Sequence, residues 1–333
     1  MDAPSPDDLH AAVLDWYDDH ARELPWRGVA ASAWSVMVSE FMLQQTPVAR
    51  VLPVHAAWLE RWPTPAALAA DSTGEAVRMW GRLGYPRRAL RLHAAAVALV
   101  ERHDGEVPAS YDELLALPGI GDYTASAIAS FAFGRRHVVL DTNVRRVLVR
   151  AVSGEEFPAA AVTRAERDVA TALLPDDAPT AATWAVATME LGALVCTARQ
   201  PSCDACPIAD LCAWRGAGFP AYDGPPRRGQ AWAGTDRQCR GRIMALARDA
   251  DGWVGAPSIA AAWPGEEQRE RCLAGLVADQ AASITQAIPI IYDGQPAPTH
   301  SPRDPSSGDR GEQQQQQQQQ ATIEEVTDAL SDR

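Results

Sequence analysis

From Asp7 to about Trp214, apolar residues recur at spacings of three and four, interrupted by Pro and Gly. This pattern predicts a succession of helices. Segments 9–21, 31–45, 48–62, 87–103, 110–117, 123–133, 144–152, 163–174 and 182–196 carry it. Strict alternation, the mark of a half-buried strand, is scarce, so the fold class expected is mainly α. Ser110 followed by Asp112 and Glu113 marks one helix start, and Pro118 with Gly119 marks its end. Residues 223–236 read as a linker, and 237–292 as a small winged-helix-like module with helical segments near 240–247, 256–263 and 266–278. From 293 to 333 a stretch rich in Pro, Ser and Gln, with a poly-Gln tract, has no periodicity and is expected to be disordered.

The 333 residues correspond to about two domains. No apolar run approaches the roughly 18 residues of a membrane span, so a membrane protein is not expected. The acidic start of the chain lacks a basic stretch followed by an apolar segment, and a cytoplasmic protein is expected. All 30 basic residues are arginine. That excludes any lysine Schiff base, pyridoxal-phosphate anchor or P-loop lysine, since a guanidinium does not deprotonate in proteins. The net charge of −13 argues naively against nucleic acid. Residues 78–150, however, form a net-basic block of 11 arginines against 7 acids. Phosphate binding depends on local potential, so an acidic protein with one basic face can still hold DNA.

Four motifs carry candidate chemistry. Cys196, Cys203, Cys206 and Cys212 form a C-x6-C-x2-C-x5-C run. Disulfides are not expected in a cytosolic chain, and a paired C-x2-C zinc arrangement is missing. Four thiolates on one loop suit a 4Fe-4S cluster, with zinc or unligated thiols as the alternatives. Cys239 and Cys272 stand apart and read as ordinary buried residues. In LPGIGDYTA, Gly119 and Gly121 free a turn between two helices to adopt positive φ and to present backbone N–H groups to a phosphate. A plain helical hairpin would use glycines too. In VVLDTNVRRVLVR, Asp141 stands at the start of an arginine-rich helix, either as its N-cap or as a catalytic carboxylate. Glu40 lies within the apolar SEFMLQQTPVARV, either partly exposed or with a raised pKa that suits a general acid.

Together with GRLGYPRRALRLH, LDTNVRRVL and MELGALVC, these stretches resemble the MutY family of adenine DNA glycosylases, in the family's order, over residues 7–222. The resemblance implies a helix-hairpin-helix glycosylase fold of two helical subdomains, with a 4Fe-4S cluster on the cysteines. It implies a monomer acting on double-stranded DNA that holds adenine opposite 8-oxoguanine or guanine. Carried over motif by motif, Glu40 would protonate the extruded adenine and Asp141 would stabilise the sugar cation. Tyr123 would support that intermediate, and Asn143 would orient the site. Trp26, Arg27 and Glu190 would line the adenine pocket, while Gln45 and Tyr85 would wedge into the duplex. Endonuclease III, the sister family, has a lysine nucleophile where Tyr123 stands and a Gln-type residue where Glu40 stands; this chain has neither. An endonuclease III-like pyrimidine-lesion glycosylase and a non-catalytic, cluster-bearing DNA-damage binder are the competing readings. The family's C-terminal 8-oxoguanine-recognition domain, with its Phe-Ser-His type element, is not visible in 227–292.

Overall fold

Helix boundaries follow local chemistry throughout the computed structural model, which describes residues 5–28, 30–224, 232–250 and 254–279. α1 (Pro6–His20) starts with a proline at its first position, where the missing N–H costs nothing. α2 (Ala33–Leu43) is capped by Ser32, whose side chain accepts from Ser35 N, and α3 (Val48–Arg61) follows Pro47. Two short helices, α4 (Pro65–Ala69) and α5 (Thr73–Trp80), are capped by the Thr64 and Ser72 side chains. α6 (Arg87–Arg102) buries Ala89, Leu92, Ala96 and Leu99 along one face, the three-and-four spacing read in the sequence.

α7 (Tyr111–Leu115) and α8 (Asp122–Phe133) form the hairpin around Gly119. α9 (Thr142–Leu148) continues into one π-helical turn, Val149–Ser153. α10 (Arg164–Ala172) opens with a full capping box between Thr163 and Glu166. α11 (Ala178–Leu194) is capped by Asp177 and leads to the cysteine loop, which ends in α12 (Ala213–Gly216).

One buried cluster joins α2–α8, and a second joins α1, α9, α10, α11 and the cysteine loop. A small third cluster, Ala127, Val139 and Ala185, lies between them. α2, α8 and α11 are apolar almost all round, as expected of helices enclosed on every side. Each of these three helices nevertheless carries one ionisable group to the same place.

The C-terminal module consists, among its described residues, of α13 (Asp236–Asp249), α14 (Ala256–Ala262) and α15 (Glu266–Asp279). Its buried Ile243, Met244, Ile259 and Leu276 belong to the same cluster as α2–α8. Cys239 and Cys272 are buried as expected, and their thiols hydrogen-bond to each other across α13 and α15. α13 begins one residue inside the expected linker, and 225–231 together with 280–333, including the expected disordered tail, lie outside the described residues.

Candidate active site

Glu40 sits in the middle of α2, 4% exposed, between Phe41 and Ser39. Loss of water raises its pKa to about 7. The Tyr123 hydroxyl bonds to its carboxyl and pulls the other way, the negative field of Asp141 raises it, and Arg27 lowers it. Tyr123 stands in the first turn of α8, and burial beside Glu40 and Asp141 holds its phenol well above the usual range. The neutral phenol is therefore a donor at any working pH.

Asp141 is the N-cap of α9. One carboxylate oxygen accepts from the backbone N–H of Asn143 at 2.8 Å and of Val144 at 2.7 Å. The other accepts from Asn143 Nδ2 at 2.7 Å. Burial raises the Asp141 pKa, with these bonds opposing the rise. The capping and catalytic roles are thus compatible, because the cap bonds fix the direction of the carboxylate. Asn143 is held in turn by Arg146 Nη2, which donates to its Oδ1 at 2.8 Å.

Glu190, fully buried in α11, is clamped by Arg22 through Nε at 2.6 Å and Nη2 at 2.7 Å, and pairs with Arg27 at 2.9 Å. Burial alone would raise its pKa, but the two guanidinium groups overcome that and hold it below the usual range. Arg27 therefore faces both Glu190 and Glu40, one ionised and one with a proton to give. Trp26, next to Arg27, is buried edge-on against the His55 ring at 4.9 Å. α9 and α11 approach closely because Gly192 has no side chain: a Cβ there would lie 2.7 Å from Asn143 Cβ.

Gln45 and Tyr85 form a second group. Both are non-glycine residues with positive φ, +56° and +48°, a strained conformation that the surroundings must enforce. Arg88 does so from beneath. Its guanidinium donates to the carbonyl of Gln44 at 2.6 Å and to those of Phe41, Met42 and Gly84 at 3.0 Å. Of the hairpin glycines only Gly119 has positive φ (+80°); Gly121 is extended at φ −109° and serves as N-cap of α8. The expectation of positive φ at both is corrected accordingly. Gly119 also permits close packing, since a Cβ there would meet Arg91 Cβ at 2.6 Å.

The four cysteines line one cavity together with Arg150, Val195 and Trp214. Arg150 Nη1 donates to Cys196 Sγ at 3.3 Å and to the Thr197 carbonyl at 2.8 Å, and Arg146 Nε donates to the Cys196 carbonyl at 2.6 Å. Arg22, Arg88, Arg146 and Arg150 escaped the sequence reading. The local signal was the four-residue spacing of 146 and 150 within the arginine-rich helix that follows Asp141.

Residues 38–171 match the HhH-GPD superfamily of base excision DNA repair proteins, and residues 196–212 match the iron-sulfur binding domain of endonuclease III. The adenine DNA glycosylase of Mycobacterium tuberculosis is 51% identical over 278 residues, covering 83% of this chain and 90% of that protein. The chain belongs to the adenine DNA glycosylase family. Two solved structures share the glycosylase fold. A thermostable thymine-DNA glycosylase matches at 22% identity and a TM-score of 0.58, covering 64% of this chain and 97% of the other. A non-covalent endonuclease III–DNA complex matches at 23% and 0.55, covering 65% and 98%. The mainly helical fold expected for the family is the one observed.

The cysteine loop fits the family's 4Fe-4S cluster. All four donors are thiols facing one cavity, the chemistry of an iron-sulfur site. The Arg150 guanidinium beside Cys196 would offset part of the negative charge of a thiolate-bound cluster. Among the described residues no helix is long and apolar enough to cross a membrane.

Proposed function

We propose that this protein hydrolyses the N-glycosidic bond of adenine mispaired with 8-oxoguanine or guanine in double-stranded DNA, leaving an abasic site. The observation that carries the reading is a buried carboxyl, Glu40, whose pKa of about 7 keeps a proton available at neutrality, within the electrostatic reach of the capped carboxylate of Asp141. Adenine is a poor leaving group, so protonation of the extruded base by Glu40 lowers the barrier to its departure with the bonding electron pair. Asp141 stabilises the positive charge that develops on the sugar, the two-carboxylate logic of glycoside hydrolysis. Water then adds to the anomeric carbon and returns a proton to Glu40. Tyr123 holds Glu40, and Asn143 holds Asp141.

Trp26, Arg27 and Glu190 receive the adenine. Gln45 and Tyr85 occupy the gap in the stack, and the hairpin at Gly119 and Gly121 holds a phosphate. When bound by Cys196, Cys203, Cys206 and Cys212, the cluster supplies a brace for its loop, and no step passes through it. Residues 7–222 form the catalytic domain, which works as a monomer on nucleoid DNA in the cytoplasm.

The test is single-turnover excision from duplexes holding A opposite 8-oxoguanine, with A:G, A:T and thymine-glycol controls, for wild type and Glu40→Gln. Adenine loss from both mispairs, abolished in Glu40→Gln and giving strand breaks mainly after alkali, is the expected result. Binding without excision, or preference for thymine glycol, overturns it.

A further inference from the structure

Two exposed aromatic side chains far apart in the chain share one guanidinium at the surface. Tyr85 is 48% exposed, and Trp232, just before α13, is 53% exposed. Arg237 joins them: its guanidinium lies 5.2 Å from the Trp232 ring centroid, and its Nη1 lies 3.4 Å from the Tyr85 hydroxyl. The Trp232 ring runs along α13, with its Cη2 3.7 Å from the position a Cβ would take on Gly241. The ring thus lies against the helix rather than standing off it. The Trp232 carbonyl accepts from Thr235 Oγ1 at 2.8 Å, which fixes the residue to the start of α13. Arg240 and Arg242 continue the basic character along the helix.

Exposed aromatic rings interleaved with guanidinium groups are the combination that takes bases by stacking and phosphates by charge. Here the combination is continuous with Tyr85, so the same strand can reach both. We infer that Trp232 and Arg237 form a DNA-contacting shelf on the C-terminal module, which takes the strand opposite the extruded adenine. Trp232 stacks on an unpaired or splayed base face there, and Arg237 meets the adjacent phosphate. The assignment rests on the wedge role proposed for Tyr85.

The experiment measures equilibrium binding of the full chain to a duplex with 2′-fluoro-adenosine opposite 8-oxoguanine, across a salt series, alongside single-turnover excision of the natural mispair at saturating enzyme. Trp232→Ala should weaken binding roughly 10-fold, the size of one lost base–aromatic stack. Trp232→Phe should restore most of it, and the excision rate at saturation should stay within about twofold of wild type. Arg237→Ala should lower the slope of log affinity against log salt by about one, the signature of one lost phosphate contact. Binding by Trp232→Ala within about twofold of wild type, with an unchanged salt slope in Arg237→Ala, overturns the shelf. If Trp232→Ala loses its fold by circular dichroism, the salt slope of Arg237→Ala decides alone. Wild type that never excises adenine would instead sink the proposed function, and the binding data would still report on the shelf.

Discussion

Arg146 Nε donates to the carbonyl of Cys196 at 2.6 Å, while Nη2 of the same guanidinium donates to Asn143 Oδ1 at 2.8 Å. One side chain therefore links the first cysteine of the iron-sulfur loop to the amide that holds Asp141. Arg146→Met should leave both ends without their donor, at a cost of about 1.5–3 kcal/mol per charged hydrogen bond. The expected outcome is at least a roughly 10-fold slower single turnover together with lower absorbance near 400 nm. An unchanged rate per cluster-loaded molecule would mean that the α9 backbone alone positions Asp141.

Glu40 ties activity and stability to pH in the same sense, both falling as pH rises. Excision needs its protonated form, so the rate should fall as pH rises through about 7. Protonation of Asp141, raised above the usual carboxylate range by burial, sets the acid limb. For stability, the native state holds the Glu40 proton between pH 4.5 and about 7 while the unfolded chain has released it. A cost therefore accumulates as pH rises and reaches about 3 kcal/mol above 7. Glu40→Gln should be inactive yet more stable than wild type at pH 8, with the difference vanishing near pH 4. Equal urea midpoints at both pH values would refute this.

Tyr123→Phe removes the bond that lowers the Glu40 pKa. The alkaline limb of the pH–rate profile should move upward while the maximum rate falls. A limb that stays put would show that the phenol does not act on Glu40.

Most helices were legible because Pro and Gly interrupt them and their apolar spacing is regular. α4 and α5 were missed: each is at most eight residues, and their apolar positions do not repeat often enough to show a period. Their starts were nevertheless written in Thr64-Pro65 and in Ser72 with Glu75. Glu40 and Asp141 could be singled out because a carboxylate in apolar surroundings is conspicuous. Which of 30 arginines become buried clamps could not, since Arg22, Arg88, Arg146 and Arg150 together make most of their side-chain bonds to partners 42 or more residues away. The pairing of Cys239 with Cys272 is non-local in the same way.

Arg88 is charged at neutrality, although burial lowers its pKa to about 10. Replacing it with Met would strand the carbonyls beneath Gln45 and Tyr85, at about 1–3 kcal/mol for each acceptor left unsatisfied. Arg88→Lys should fold but hold fewer of those carbonyls. It should weaken binding to the mispaired duplex roughly 10-fold, with a smaller effect on the rate at saturation. Equal losses in both quantities would argue against a wedge-positioning role.

At Gly192 the helices that carry Asp141 and Glu190 touch through main chain and Cβ atoms. The separation of the two helices at this point is therefore a backbone dimension, indifferent to rotamer changes nearby. Warming that loosens side-chain packing elsewhere would leave that contact intact until α9 and α11 separate. Catalytic competence should then persist up to the melting transition and vanish with it, in one step.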